Sequence, residues 1–275
     1  MLCAINNIQS GGCAEDCKFC TQSVHNKTQI QKYPLKPTQQ IVKEAHQAKA
    51  NGAVGFCLVT SGKKMDQKTC AHVAKTAEVI KKQIPEFNLI ACNGIATKQQ
   101  LQHLKDSGVD SYNHNLETSQ NFYPQICTTH SWQQRYETCE NVKAVGLNLC
   151  SGGIFGLGET ADDRLQLLHA IKKLDPKTVP INFFIPSAGL PINVAAMDAD
   201  EALQIIQLAK KLLPKQKLMA AGGREHSFKS DQKQIFEAGI EAIVIGDYLT
   251  TKGTKAQADR EMIQSYGYSI AKKCR

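Results

Sequence analysis

Eight short β-prone runs alternate with eight longer helical patterns along the 275 residues, and this alternation restricts the fold more than any other feature of the chain. The strand-like runs fall near 3–9, 54–60, 87–93, 110–116, 147–154, 178–185, 216–221 and 241–247. Helical patterns fill the intervals near 38–50, 66–83, 97–107, 131–145, 160–173, 198–213, 230–238 and 255–267. Thr38 and Thr97 stand where they can cap helix starts, Asp198 to Glu201 reads as another start, and Gly52, Gly108 and Gly146 follow helix ends. Strand–helix repeats call for a parallel sheet. A count of eight fits a (β/α)8 TIM-type barrel, with its chemistry at the C-terminal ends of the strands. A doubly wound open sheet shows the same alternation and is the rival architecture. No Pro/Gly/Ser-rich linker divides the chain, which is read as a single barrel domain over 1–275.

Charge and composition exclude several function classes. The chain has 33 basic and 25 acidic side chains, a formal charge of +8. This excess is spread over pairs such as Lys63-Lys64, Lys172-Lys173 and Lys210-Lys211 on predicted helix faces, without interleaved aromatics. That pattern is a solvated surface and not a nucleic-acid stripe. No apolar run approaches the ~18 residues of a membrane span, and the N-terminus lacks a basic stretch leading into an apolar one. The expectation is a cytoplasmic protein without a membrane or nucleic-acid partner. Eleven cysteines, an odd number without an export signal, argue against a disulfide framework.

Three of those cysteines lie in Cys13-Ala-Glu-Asp-Cys17-Lys-Phe-Cys20, a C-x3-C-x2-C run just after the first strand. Three thiolates on one tight loop suit three irons of a 4Fe-4S cube and leave the fourth iron open to an outside ligand. A zinc site completed from elsewhere, with His25 the nearest candidate, is the alternative, although the spacing differs from the paired C-x2-C of zinc modules. Cys57, Cys92 and Cys150 each fall inside a predicted strand. Singly, each reads as a small buried hydrophobe. Together, on separate strands of a barrel, they are placed to converge on its axis and ligate a second cluster. Arg224, in Ala221-Gly-Gly-Arg-Glu225, reads as an anion clamp or an ion-pair partner.

The fourth strand carries Asn113, Asn115 and Glu117 on one face and Tyr112, His114 and Leu116 on the other. A barrel interior filled for stability would present Val, Ile or Leu there, so inward amides imply a polar ligand; an Asn-rich turn is the other reading. Asn182 stands among apolar residues of the sixth strand. An unpaired buried amide costs ~1–3 kcal/mol, so these groups need partners. Gly152-Gly-Ile-Phe-Gly-Leu-Gly-Glu159 permits close backbone approach, with Ile154 placed against an aromatic base, and it matches neither G-x-G-x-x-G nor a P-loop. Cys3, Cys70, Cys127, Cys139 and Cys274 carry no assigned role, and His114 has no assigned chemistry.

A C-x3-C-x2-C loop after the first strand of such a barrel resembles the radical S-adenosylmethionine superfamily. The resemblance implies that Cys13, Cys17 and Cys20 hold a 4Fe-4S cluster whose open iron binds S-adenosyl-L-methionine. It also implies that Phe19, Ile154 and Ile185 lie against the adenine, and that Asn115 and Glu117 complete that site with Glu117 on the ribose. Further segments (Tyr112-Asn-His-Asn-Leu-Glu-Thr-Ser119, Cys150-Ser-Gly-Gly-Ile154, Val179-Pro-Ile-Asn182, Gly222-Gly-Arg-Glu225 and Tyr248-Leu-Thr-Thr251) stand in the order of the superfamily's sulfur-inserting branch, whose substrate is dethiobiotin. From residue 13 to 251 this likeness covers nearly the whole chain. It implies a sulfurtransferase in which Cys57, Cys92, Cys150 and Arg224 hold a 2Fe-2S cluster, against the reading of Arg224 from its residue type. Asn115 and Asn182 would meet the ureido group, and Asn113, Thr250 and Thr251 the valeryl carboxylate. An electron donor such as flavodoxin or ferredoxin and a homodimer are implied as well. The departures are Ala221-Gly222-Gly223 before Arg224, where many members have Ser-Ala-Gly, and Glu117 where many have Asp. Two alternatives stand beside this reading. A lipoyl-forming radical enzyme would carry an additional N-terminal three-cysteine motif, absent from a chain beginning Met1-Leu-Cys3. A non-enzymatic metal scaffold would use the first loop alone.

Overall fold

The computed structural model describes residues 1–229 and 231–274. Its strands are β1 (Leu2–Gln9), β2 (Gly55–Thr60), β3 (Asn88–Cys92), β4 (Ser111–Asn113), β5 (Asn148–Cys150), β6 (Gly153–Phe155), β7 (Thr178–Phe183), β8 (Lys217–Ala220) and β9 (Ile240–Ile245). They form one sheet in the order β5-β4-β3-β2-β1-β9-β8-β7-β6, and pairing of Cys150 with Thr178 joins β5 to β7. β5 and β6 are two halves of the expected fifth strand, so the sheet closes as an eight-stranded parallel (β/α)8 barrel.

The helices follow their strands as the alternation predicts: Thr38–Ala50, Gln67–Gln83, Lys98–Asp106, Trp132–Ala144, Ala161–Leu174, Ala199–Leu212, Lys233–Glu237 and Ala256–Ser265. Local chemistry sets most of their starts. Thr97 and Gln100 form a capping box, as do Ser131 with Gln134 and Thr160 with Asp163, while the Asp198 carboxylate accepts from the Glu201 backbone N–H. Thr38 does not cap its helix; Pro37 occupies the N-cap position, and the Thr38 hydroxyl meets Thr76 Oγ1 at 3.1 Å. The start expected at residue 230 lies outside the described residues, and the observed helix begins at Lys233. Short helices at Tyr123–Ile126 and Arg224–Phe228, too brief to show a period, add to the pattern. Among the described residues no helix is long and apolar enough to cross a membrane.

The main core lies between sheet and helices. The Thr38–Ala50 helix buries Ile41, Val42, Ala45 and Ala48, one face at helical spacing, while Phe56 and Leu58 of β2 and Leu89 of β3 point outward to meet the helical layer. The alternate residues of the same strands turn inward.

The fifth strand breaks at Ser151–Gly152 because the chain passes close to β7 there. A Cβ on Gly152 would lie 1.9 Å from the Pro180 carbonyl oxygen. Since that neighbour is backbone, it cannot step aside without moving β7. Gly152→Ala is therefore expected to cost about 3 kcal/mol or more, read as a lowered urea midpoint with an unchanged slope.

Candidate active site

A cavity of about 460 Å³ follows the barrel axis. Cys57 and Val59 of β2, Ile90 and Cys92 of β3, and Cys150 of β5 line it, as the period-two alternation of inward positions requires. The three strand cysteines thus face one space. Burial raises two of these thiols: contact with Cys92 and desolvation push Cys57 well up, and desolvation does the same to Cys150. Cys3, on β1, lines the same cavity and is pushed up to about 12 by burial, and Cys274 also lines it.

Asn113, Asn115, Glu117, Asn182, Thr250 and Thr251 line the cavity too. Regular strand ends at Asn113, yet the pairing persists: His114 N–H donates to Cys150 O at 2.9 Å and Leu116 N–H to Gly152 O at 2.9 Å. That continued pairing keeps residues 113, 115 and 117 on the inward side, although Glu117 takes a left-handed φ of 69° as the segment turns. The amides find more protein partners than the sequence suggests. Asn115 Oδ1 accepts from Gly152 N–H at 3.1 Å, while Asn182 accepts from Gly222 N–H at 2.9 Å and donates to Gly153 O at 3.0 Å. Neither therefore needs a ligand to offset its burial, contrary to expectation. Asn113 Oδ1 and Glu117 Oε2 are different, being buried without a hydrogen-bond partner among the described residues. Glu117 Oε1 accepts from Arg135 Nη2 at 2.9 Å, and burial raises the carboxyl above its usual range despite that cation. His114 points away from the cavity; burial holds it neutral, far below the usual imidazole range.

The Cys13–Cys20 loop begins after Gly11 and Gly12, whose φ values of 75° and 68° turn the chain out of β1. Asn26 Nδ2 donates to the carbonyls of Cys17 and Cys20 at 3.0 and 2.8 Å and fixes the tip. Burial raises Cys13, and raises Cys20 to about 11. Phe19 is partly buried and packs against the core; it, Ile154 and Ile185 stand outside the cavity wall. Thr21 Oγ1 contacts Thr250 Oγ1 at 2.7 Å, so the cysteine loop touches the segment after β9.

Residues that the sequence does not single out sit against this loop. The Asp16 carboxylate accepts from the backbone N–H groups of Thr128 and Thr129, and Lys18 N–H donates to Ile126 O at 2.9 Å. This docking sets Cys127 Sγ 3.6 Å from Cys17 Sγ and 3.2 Å from His130 Nδ1. The hydrogen bond from Cys17 draws Cys127 toward the thiolate while raising Cys17. The available signal is the C-x2-H spacing of Cys127-Thr-Thr-His130. His25, by contrast, is exposed and its ring meets Ala14 O at 3.0 Å.

Arg224 is fully buried but is not part of the cavity lining. Its Nη2 donates to both Asp259 carboxylate oxygens at 2.7 Å, its Nη1 contacts Gln232 Oε1, and its Nε has no partner among the described residues. The geometry is that of a buried ion pair, as the residue type alone suggests.

Residues 7–171 match the radical SAM superfamily, and residues 180–269 match the Biotin and Thiamin Synthesis associated domain. Together with the barrel and its cysteine loop, these matches define a radical S-adenosylmethionine protein. The chain is 54% identical over 273 residues to biotin synthase of Wolinella succinogenes, covering 99% of this chain and 98% of that one. It is 55% identical over 274 residues to biotin synthase of Sulfurovum sp., covering 99% and 96%. The chain belongs to the biotin synthase family. Among solved structures, methylornithine synthase superposes with a TM-score of 0.81 at 17% identity, over 100% of this chain and 83% of that one. The hydrogenase maturase HydG from Carboxydothermus hydrogenoformans gives 0.82 at 16%, over 96% and 66%. At such identities what is shared is the fold.

Proposed function

We infer that this chain is a radical S-adenosylmethionine sulfurtransferase that inserts sulfur into dethiobiotin to form biotin. The observation that carries this reading is the convergence of Cys57, Cys92 and Cys150 on one axial cavity that Asn113 and Glu117 also line with unpartnered oxygens. Soft thiol donors suit an iron–sulfur group, and orphaned acceptors suit a ligand rich in N–H and O–H. On this reading Cys13, Cys17 and Cys20 hold a 4Fe-4S cluster, and Cys57, Cys92 and Cys150 a 2Fe-2S cluster. When bound, these groups and S-adenosyl-L-methionine supply a 5′-deoxyadenosyl radical and a sulfide.

The side chains do the positioning. Glu117 Oε2 accepts a ribose hydroxyl while Arg135 fixes the other oxygen, and Phe19, Ile154 and Ile185 cover the adenine. Asn115 and Asn182 keep donor and acceptor capacity beyond their backbone bonds, enough to meet a ureido group. Asn113, Thr250 and Thr251 take the valeryl carboxylate. Arg224 is the fourth ligand by family likeness, with Nε the guanidinium nitrogen left free of the protein. A single barrel domain over 1–275, a flavodoxin or ferredoxin as reductant, a homodimer and a cytoplasmic setting complete the proposal.

The test is turnover by anaerobically reconstituted protein given S-adenosyl-L-methionine, a reductant and dethiobiotin. The expected products are biotin, methionine and 5′-deoxyadenosine. Release of 5′-deoxyadenosine without biotin would leave a radical enzyme acting on some other substrate.

A further inference from the structure

Cys127 and His130 serve none of the roles above, yet both are buried against the cysteine loop, at 2% and 8% exposure. We propose that Cys17, Cys127 and His130 form a mononuclear metal site in the cluster-free protein, taking one borderline divalent cation, ferrous iron or zinc, through two thiolates and one imidazole. The proposal rests on the reading of Cys17 as a cube ligand only in its consequence, that the single ion and the cube exclude one another.

The geometry is that of an assembled ligand set. The two sulfurs and a ring nitrogen lie within 4.8 Å of one another. A tetrahedral ion with sulfur at about 2.3 Å and nitrogen at about 2.0 Å has S···S and S···N edges of about 3.8 and 3.5 Å. The observed Cys17–Cys127 edge is 3.6 Å, and Cys127 Sγ lies 3.2 Å from His130 Nδ1 and 3.9 Å from Nε2. The two edges at Cys127 are within a few tenths of an ångström of these values, and the third, from Cys17 to His130, lies within 4.8 Å and closes further on binding.

The surroundings also match. Glu15 Oε2 lies 2.9 Å from His130 Nδ1, a carboxylate placed to accept that N–H and leave Nε2 for the ion. Arg135 Nη1 stands 3.4 Å from Nε2; its Nε and Nη2 are already held by Asn115 O and Glu117, so Nη1 is the end that gives way. Lys63 Nζ is the other nearby cation, 3.8 Å from Glu15. Two thiolates and a divalent ion sum to zero charge, so the ion adds no repulsion toward either cation. Cys17 is only partly buried and offers the route in. The docking by Asp16 and Lys18 brings together residues 110 apart in sequence without any metal.

The consequence concerns loading. An ion on Cys17, Cys127 and His130 occupies one of the three thiols the cube needs, so zinc there blocks cluster assembly and ferrous iron there is an iron already at the site. Titration of metal-free wild-type protein with Co(II) under anaerobic conditions, followed by competition with Fe(II) and Zn(II), tests the site directly. One ion per chain with a tetrahedral thiolate spectrum is expected. Cys127→Ser and His130→Gln should each weaken binding by at least the about 10–100-fold that loss of an outer-shell partner costs, and Cys13→Ser and Cys20→Ser by less than about threefold. X-ray absorption of the Co(II)-loaded wild type should show imidazole scattering, an observation that depends on no variant. Equal affinity in wild type, Cys127→Ser and His130→Gln overturns the proposal, as does a loss in Cys13→Ser as large as in Cys127→Ser. Reconstitution with iron and sulfide separates the two readings. A cube that forms in Cys127→Ser supports Cys127 as a ligand of the single ion alone. Wild type that takes one ion and never forms a cube refutes the cube assignment and leaves the metal site standing.

Discussion

Replacing Cys57, Cys92 and Cys150 together by alanine is expected to abolish biotin formation while leaving S-adenosyl-L-methionine cleavage intact. The three thiols reach one cavity from three different strands, and among the described residues none of the Cys13–Cys20 loop lines that cavity. Loss of three small side chains from an existing cavity removes few packing contacts, so the barrel should still fold. Iron should fall from about six to about four per chain, with the 2Fe-2S Mössbauer signal lost and the 4Fe-4S signal kept. Biotin should fall to background while 5′-deoxyadenosine release continues. The burial of these thiols adds a pH dependence. Cys57 and Cys150 hold their protons well above the usual thiol range, so metal loading must displace them and is favoured as pH rises. A wild type that shows one cube and no second cluster, with the triple variant unchanged, would remove the sulfur donor from the proposed reaction.

Much of this site is legible in the order of residues alone, because barrel strands obey a simple rule. Inward positions recur every second residue, so Cys57, Cys92, Cys150, Asn113 and Glu117 can be assigned to one interior from the sequence. Closure is legible from the count of repeats. The break in the fifth strand is not, because it depends on Gly152 meeting Pro180, a contact between separate repeats. The partners of Asn115 and Asn182 are hidden for the same reason: both bind backbone of other strands. Arg224 marks where two kinds of inference part. Family likeness assigns it to a cluster, whereas residue type assigns it to an acid, and the acid is Asp259, 35 positions away. Cys127 and His130 escape a reading of the sequence because a C-x2-H pair gains meaning only when Asp16 docks it on the cysteine loop.

Arg135→Met is expected to cost about 3 kcal/mol of folding stability at neutral pH, with the loss shrinking as the solution is made acidic. Arg135 and Glu117 are only 14% and 12% exposed, and the guanidinium donates to Glu117 Oε1 at 2.9 Å and to Asn115 O at 2.6 Å. Methionine keeps most of the apolar stem but leaves a carboxylate already unpartnered at Oε2 without its cation. Removing one member of such a pair is costlier than the pair is stabilising, because the remaining charge stays buried. The sign of the pH dependence follows from Glu117. Burial raises its folded pKa above that of the unfolded chain, so between the two values the folded protein binds more protons. Stability therefore falls as pH rises through that window, and the full penalty is present above it. Without Arg135 the folded pKa rises further and the window widens upward. The gap between wild type and Arg135→Met, measured by urea unfolding, should then be smallest at the acid end, near the ~4.3 of an unfolded glutamate, and grow as pH rises from there. Glu117→Gln in the Arg135→Met background should recover most of the loss, since a neutral amide has no charge to strand. A gap that stays constant across that range would assign the loss to packing of the arginine stem, and Glu117 would then reach its ligand without help from Arg135.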